Sequence, residues 1–275
     1  MTSGAEIVRL DVELVRRGLA RSRGEARDLV RDGHVLVDGL PPRKPAQEVD
    51  AETGLEVSSG APRVVGRAAH KLAAAFATWG PHGLTATGRR CVDVGASTGG
   101  FTQVLLAEGA EQVVAVDVGH GQLVPELAED PRVQERSGTT VRGLRSEDLG
   151  GPARLVVADL SFISLTLVAA DLVGLLEDGG DLVVLVKPQF EVGRDRLGRG
   201  GLVPDPALRA GAVRDVARSL AAAGAGVRDV VPSPISGTTG NAEYLMWAVS
   251  GGSATMTEDE IAAAARAVAD DPPGG

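Results

Sequence analysis

The sequence predicts an α/β fold, a doubly wound and largely parallel Rossmann-like sheet with helices on both faces, preceded by a small α+β module. Three observations point to the class. Near-continuous Val/Leu runs alternate with helical stretches from residue 68 onward, the pattern of strands buried on both sides. A glycine-rich turn, Asp93-Val-Gly-Ala-Ser-Thr-Gly-Gly-Phe101, follows the first of those runs. Residues 1–60 differ from the rest, with short elements closely punctuated by capping and turn residues.

In the N-terminal module, residues 10–18 read as a short amphipathic helix ending at Gly18. Ser22 and Glu25 form a capping box for a second helix, with Leu29 and Val30 facing inward and Asp32-Gly33 ending it. His34–Asp38 is a strand that turns at Asp38-Gly39, and Leu55–Ser58 is another. Gly60-Ala-Pro62 opens a linker assigned to residues 61–67.

The larger domain is assigned to residues 68–270. A helix spans Ala68–Trp79 and carries Lys71, and strand Arg90–Val94 leads through the glycine-rich turn into helix Gly100–Glu108. Strands Gln112–Asp117 and Arg154–Asp159, helix Ser164–Leu176 and strand Asp181–Lys187 follow. After a long loop come helix Pro206–Ala223, strands near Val227–Val231 and Glu243–Val249, and a capped helix Thr257–Asp270, leaving 271–275 as a frayed tail.

Composition narrows the function. One cysteine, Cys91, excludes a disulfide framework. No apolar run reaches the roughly 18 residues that span a bilayer, and the N-terminus lacks a signal-peptide core, so a cytoplasmic location with no membrane partner is expected. The net charge of −9 argues against nucleic acid as an average property. Locally the balance reverses, because Leu14–Arg31 holds Arg16, Arg17, Arg21, Arg23, Arg27 and Arg31 against only Glu25 and Asp28. Arg16, Arg17, Arg21 and Arg23 are the candidate phosphate contacts; the plain alternative is a solvated helix surface. Of 28 cationic side chains only Lys44, Lys71 and Lys187 are lysine. A lysine can release a proton at accessible pH and an arginine effectively cannot, so these positions are candidates for proton chemistry.

The glycine-rich turn lies where a doubly wound sheet binds its ligand. Asp93, Gly95, Ser97, Thr98, Gly99, Gly100 and Phe101, with Asp117 at the end of the next strand to meet a ribose diol, form a candidate S-adenosylmethionine site. A nicotinamide dinucleotide fingerprint needs a second glycine where Ser97 stands, and a plain tight turn is the remaining alternative. Two strand ends carry further ionisable groups: Asp159 after Val156-Val-Ala, and Lys187 before Pro188, which stops its strand. Glu243 opens a late strand. With Lys71, these groups suit methylation of an alcohol, where the methyl donor arrives activated and the enzyme supplies alignment and a base. No metal site is expected. Base-nitrogen methylation would call for aromatic residues around a flipped base, whereas aromatics are 3% of the chain.

These strings together resemble the TlyA (haemolysin-like) group of ribosomal RNA 2′-O-methyltransferases, whose catalytic domain is FtsJ-like. The resemblance rests on Leu14-Val-Arg-Arg-Gly-Leu-Ala-Arg-Ser-Arg23, His70-Lys-Leu72, Asp93–Thr102, Ala158-Asp-Leu-Ser-Phe-Ile-Ser164, Val186-Lys-Pro-Gln-Phe-Glu-Val-Gly193 and Gly240-Asn-Ala-Glu-Tyr-Leu245. It implies a Rossmann-like methyltransferase domain behind an αL-type RNA-binding domain. It also implies a catalytic tetrad on Lys71, Asp159, Lys187 and Glu243, S-adenosylmethionine as cofactor, and ribosomal RNA, at cytidine, as substrate. The chain departs from the group's pattern at Gly66-Arg-Ala68 and Ser137-Gly-Thr-Thr140. Methylation of a non-RNA substrate, a non-catalytic RNA-binding role and a membrane-lytic role are the competing readings; no basic amphipathic or spanning segment favours the last.

Overall fold

Each predicted segment can be compared with a computed structural model, which describes residues 7–20, 23–31, 33–57 and 65–266. Ser22 and Asp32, assigned above to the second helix's ends, lie outside the described residues, as does the 271–275 tail. The chain divides into two units, Met1–Arg67 and Ala68–Gly275.

In the first unit β1 (Val8–Arg9) leads directly into α1 (Leu10–Arg16), followed by α2 (Arg23–Arg31), β2 (Val35–Val37), β3 (Glu48–Val49) and β4 (Leu55–Val57). β1 pairs antiparallel with β3, and β2 with β4. Leu10 and Leu14, one helical turn apart, close on Ala26, Val30, Val35, Val37 and Val49 as a small core. α1 stops at Arg16, two residues before Gly18, whose φ of +69° turns the chain away. Asp38 and Gly39 both take positive φ, 49° and 77°, as the predicted turn requires.

The second unit runs α3 (Ala68–Trp79), β5 (Arg90–Val94), α4 (Gly100–Ala107), β6 (Gln112–Asp117), α5 (Pro125–Ala128), β7 (Val133–Ser137), β8 (Ala153–Ala158) and α6 (Ala169–Gly174). It continues through β9 (Leu176–Val186), α7 (Pro188–Glu191), α8 (Pro206–Ala222), β10 (Ala225–Pro232), β11 (Tyr244–Ser250) and α9 (Glu258–Arg266). Seven strands form one sheet in the order β10-β11-β9-β8-β5-β6-β7. The run from β9 to β7 is parallel, while β11 is antiparallel to both its neighbours, so the sheet is mixed. Val92 and Val94 face a core shared with α6, α8 and α9, and pleating turns Cys91 to the opposite face, where it is also buried. Burial pushes the Cys91 thiol up to about 12, so it is inert at neutral pH.

Three expectations change. The helix expected at Ser164–Leu176 is a 3-10 turn capped by the Ser164 hydroxyl, then the six residues of α6; Gly174 weakens the helix and Leu176 is already in β9. β7 has no counterpart among the expected elements: Val-Gln-Glu-Arg-Ser is a half-buried edge strand without an apolar run. Lys187 and Glu243 each stand one residue outside their strands, with Lys187 capping α7. Thr257 and Glu260 do form a reciprocal capping box at α9.

Candidate active site

The parallel strands β5, β6, β8 and β9 deliver their C-terminal ends to one edge of the sheet, and the reversed β11 delivers its beginning there, Tyr244 pairing with Val186. The edge therefore gathers the residues that follow four strands and precede a fifth. Lys71, from the first turn of α3, hydrogen-bonds Glu243 Oε2 at 2.6 Å and lies 4.0 Å from Asp159 Oδ2. Lys187 Nζ lies 2.6 Å from Asp159 Oδ1, an ion pair outside hydrogen-bond alignment, and donates to Ser161 Oγ at 2.9 Å. All four side chains are 12% exposed or less. Two cations and two carboxylates at this depth compensate one another, which an unpaired charge there would not.

Sequence reasoning did not single out the partners around Lys187. Ser161 accepts a hydrogen bond from it, and Phe190 has its ring centroid 5.9 Å from Nζ. Phe162 is 92% exposed, takes a φ of +64° and meets Phe190 at 5.2 Å between centroids. A bulky residue at positive φ is strained, so the loop after Asp159 is held in a shape its own residues disfavour. The only available signal was the Asp159-Leu-Ser-Phe162 string itself.

The glycine-rich loop sits beside this cluster. Gly95, Ser97 and Gly99 all have positive φ, and Gly99 caps the N-terminus of α4. A Cβ at Gly95 would stand 2.6 Å from the Asp159 carbonyl oxygen, and one at Gly99 2.3 Å from Leu127. Asp117 accepts the Ser97 N–H at 2.8 Å and the Gly119 N–H at 2.7 Å. Thr98 is exposed and Gly100 begins α4. Two residues expected to touch a cofactor lie elsewhere. Phe101 is 2% exposed, in the core. Asp93 is fully buried under the loop, with Oδ2 accepting from Thr102 and Oδ1 unpartnered; desolvation pushes its carboxyl up to about 7. A cavity of about 10 Å³ lies among Ser97, Asp117, Gly119, Gln122, Glu135 and Ser137. Gln122 fills the space, its amide 3.4 Å from both Asp117 Oδ1 and Ser97 Oγ. The donor set suits S-adenosylmethionine: a carboxylate at the strand end, and a left-handed loop opening α4. Among the described residues no group of three or more His, Cys, Asp or Glu is arranged to hold a metal.

The arginines of the first unit surround two buried carboxylates. Asp11 accepts from Arg9 through two hydrogen bonds, from Arg23 at 3.2 Å and from Arg27 at 3.0 Å. Glu13 accepts two bonds from Arg16 and one from Arg17, all at 2.6 Å. These bonds hold both carboxyls well below the usual range, Glu13 at about 2. Arg17 also donates to the carbonyls of Thr53, Asp50 and Ala51, so its guanidinium braces the fold. Arg16 and Arg23 remain half exposed or more. Arg21 lies outside the described residues.

Comparison with known proteins places this geometry. Residues 64–249 match the FtsJ-like methyltransferase family and residues 8–55 the S4 domain. The chain is 51% identical to the 16S/23S rRNA (cytidine-2'-O)-methyltransferase TlyA of Mycobacterium tuberculosis, over 88% of this chain and 90% of that one. It is 30% identical to the 23S rRNA (cytidine-2'-O)-methyltransferase TlyA of Campylobacter jejuni, over 85% and 96% of the two chains. A solved structure titled as a hemolysin, from Streptococcus thermophilus, superposes with a TM-score of 0.72 at 34% identity, covering 95% of this chain and 96% of that one.

Proposed function

Because the chain belongs to the FtsJ-like methyltransferase family, in its TlyA group, we propose that it is an S-adenosylmethionine-dependent ribose 2′-O-methyltransferase acting on ribosomal RNA, with cytidine as the target nucleoside. The observation that carries this reading is the pairing of Lys187 with Asp159 and of Lys71 with Glu243, both at 2.6 Å, beside the glycine-rich loop.

When bound, the cofactor supplies a methyl group already activated on a sulfonium. Asp117 and the backbone of Gly95–Gly99 would hold it, with Gln122 between Asp117 and Ser97 at the nucleoside end. Asp93 supports the loop from below. The task left to the chain is to align the 2′-hydroxyl and take its proton as the oxygen attacks. Lys187 in its amine form accepts that proton. The ammonium so formed is the species that Asp159 and Ser161 are placed to receive. Lys71 and Glu243 keep the cluster neutral and fix Asp159. Residues 1–60 form the αL-type RNA-binding domain, with Arg16 and Arg23 meeting phosphates, joined by 61–67 to the catalytic domain at 68–270.

The test is a map of 2′-O-methylation across ribosomal RNA from cells with and without the protein, paired with transfer of labelled methyl to that RNA by purified protein. A site that vanishes with the gene and reappears in vitro is expected. An identical map in both cells, with no label transferred, would count against the reading. No helix among the described residues is long and apolar enough to cross a membrane.

A further inference from the structure

We propose that the loop from Gly193 to Leu202 is a second RNA-gripping surface, carried by the catalytic unit itself, in which Arg194, Arg196 and Arg199 neutralise phosphates of the strand bearing the target ribose. The proposal rests on the RNA-methylation reading above.

The chain carries a net charge of −9, yet residues 194–199 hold three arginines, and Asp195 is the only acid between Val192 and Pro204. All three arginines are exposed. Several arginines elsewhere in this unit are committed to carboxylates or carbonyls, among them Arg89 to Asp181, Arg132 to Asp130, Arg218 to Glu258 and Arg90 to the Leu149 carbonyl. Among the described residues, no hydrogen bond or ion pair engages the guanidinium of Arg194, Arg196 or Arg199. Clustered like charges without partners are unfavourable in isolation and favourable against a polyanion.

Both ends of the loop are fastened beside the tetrad. It leaves α7, the short helix that Lys187 caps. Its far end is held by Asn241, the only asparagine in the chain and two residues before Glu243. Asn241 accepts the Val203 N–H at 2.9 Å and donates to the Gly201 carbonyl at 3.0 Å, and is itself 3% exposed. A buried side chain devoted to the loop makes its position a fixed property of the fold. Arg209 donates to the carbonyls of Val203 and Pro204, and Leu197 packs with Val192, Val203 and Ala212.

The interior is ordered too. Arg196 and Leu197 donate their N–H groups to Gly193 and Arg194, and Gly198 and Gly201 close a second turn through bonds of 2.7 Å to Leu202 and 3.1 Å to Gly198. These bonds fold the loop into two turns while its three arginine side chains are exposed, an arrangement suited to phosphate oxygens.

The test replaces Arg194, Arg196 and Arg199 together by glutamine in the full chain. Purified ribosomal RNA is titrated at several salt concentrations, with S-adenosylmethionine affinity measured by calorimetry. The expected result is cofactor affinity and thermal unfolding equal to wild type, RNA affinity lowered about tenfold or more at about 0.1 M salt, and a log–log salt slope shallower by roughly 0.7 for each phosphate no longer neutralised. An unchanged slope and RNA affinity, in protein that still methylates RNA, would overturn the surface and leave the activity standing. Wild-type protein that binds RNA with the arginine-dependent slope but methylates none would overturn the activity and leave the surface standing. Charge reversal at Arg196 and Arg199 to glutamate provides a second variant, expected to weaken binding further than glutamine does.

Discussion

Asp11 and Glu13 in the N-terminal unit, and Asp159 and Glu243 in the catalytic unit, are all buried carboxylates paired with cations, but the pairs are finished differently. Asp11 and Glu13 gather five arginines whose side chains reach exposures of 24% to 62%. The acids lie inside, the excess positive charge lies in water, and arginine cannot lose it. The Lys71–Glu243 and Lys187–Asp159 pairs use two lysines for two acids, all buried and balanced. The first cluster leaves an excess of positive charge at the surface. The second has no net charge to offer but contains cations that can part with a proton. Residue choice, more than the count of ion pairs, separates the two clusters.

Breaking the second cluster should give the largest effect. Lys187→Arg keeps the charge and removes the exchangeable proton, so single-turnover methyl transfer at saturating RNA should fall about 10²-fold or more, with cofactor and RNA affinity retained. Near-normal turnover would make Lys187 an electrostatic anchor. Next in size, Asp117→Ala should weaken cofactor binding by about 1.5–3 kcal/mol, through loss of hydrogen bonds to a charged acceptor, read by calorimetry. Unaltered affinity would remove Asp117 from the cofactor site.

Asp93 sharpens the comparison, as a buried acid with no cation at all. Its folded carboxyl keeps a proton up to about pH 7, whereas the unfolded one loses it near 4. Protonation therefore favours the folded state, and the stability this group contributes falls as pH rises through about 4 to 7. Asp93→Asn should flatten that part of the urea-midpoint profile. Glu13 has the opposite sign: its carboxyl is depressed to about 2, so its contribution is present above about 4 and lost as pH falls from there through about 2. Asp11→Asn should lower the N-terminal unit's stability by about 1–2 kcal/mol, reduced because the arginine ends are wet. The smallest effect belongs to Arg16 and Arg23. Replacing both by glutamine should flatten the salt dependence of RNA binding by up to about one unit of slope per arginine, and an unchanged slope would leave them as surface charge.

What was legible in the sequence follows from how each residue is held. Lys71, Asp159, Lys187 and Glu243 come from four separate segments, yet strand-end positions marked Asp159, Lys187 and Glu243, and lysine scarcity marked Lys71 and Lys187. Buried strands such as Leu182–Val186 announce themselves by apolar runs; β7 does not, because an edge strand needs only its backbone bonds. The fate of Arg17 was illegible, since its partners are carbonyls more than thirty residues away and no side-chain pattern encodes a carbonyl. Phe101 looked like part of a motif, but the helix turns it into the core. Gln122 gave no signal, because its place depends on how the loop after Asp117 folds back.

The reversed strand β11 also dictates an order of assembly. Among the described residues it is the last strand to be synthesised, yet it lies inside the sheet, with β10 on one side and β9 on the other. β10, although made earlier, has no sheet partner until β11 arrives between them. A nascent chain that has released Lys71, Asp159 and Lys187 still lacks Glu243, so its lysines are unbalanced and its sheet is open. The cluster of Lys71, Asp159, Lys187 and Glu243 therefore closes only after β11 has been inserted between β9 and β10.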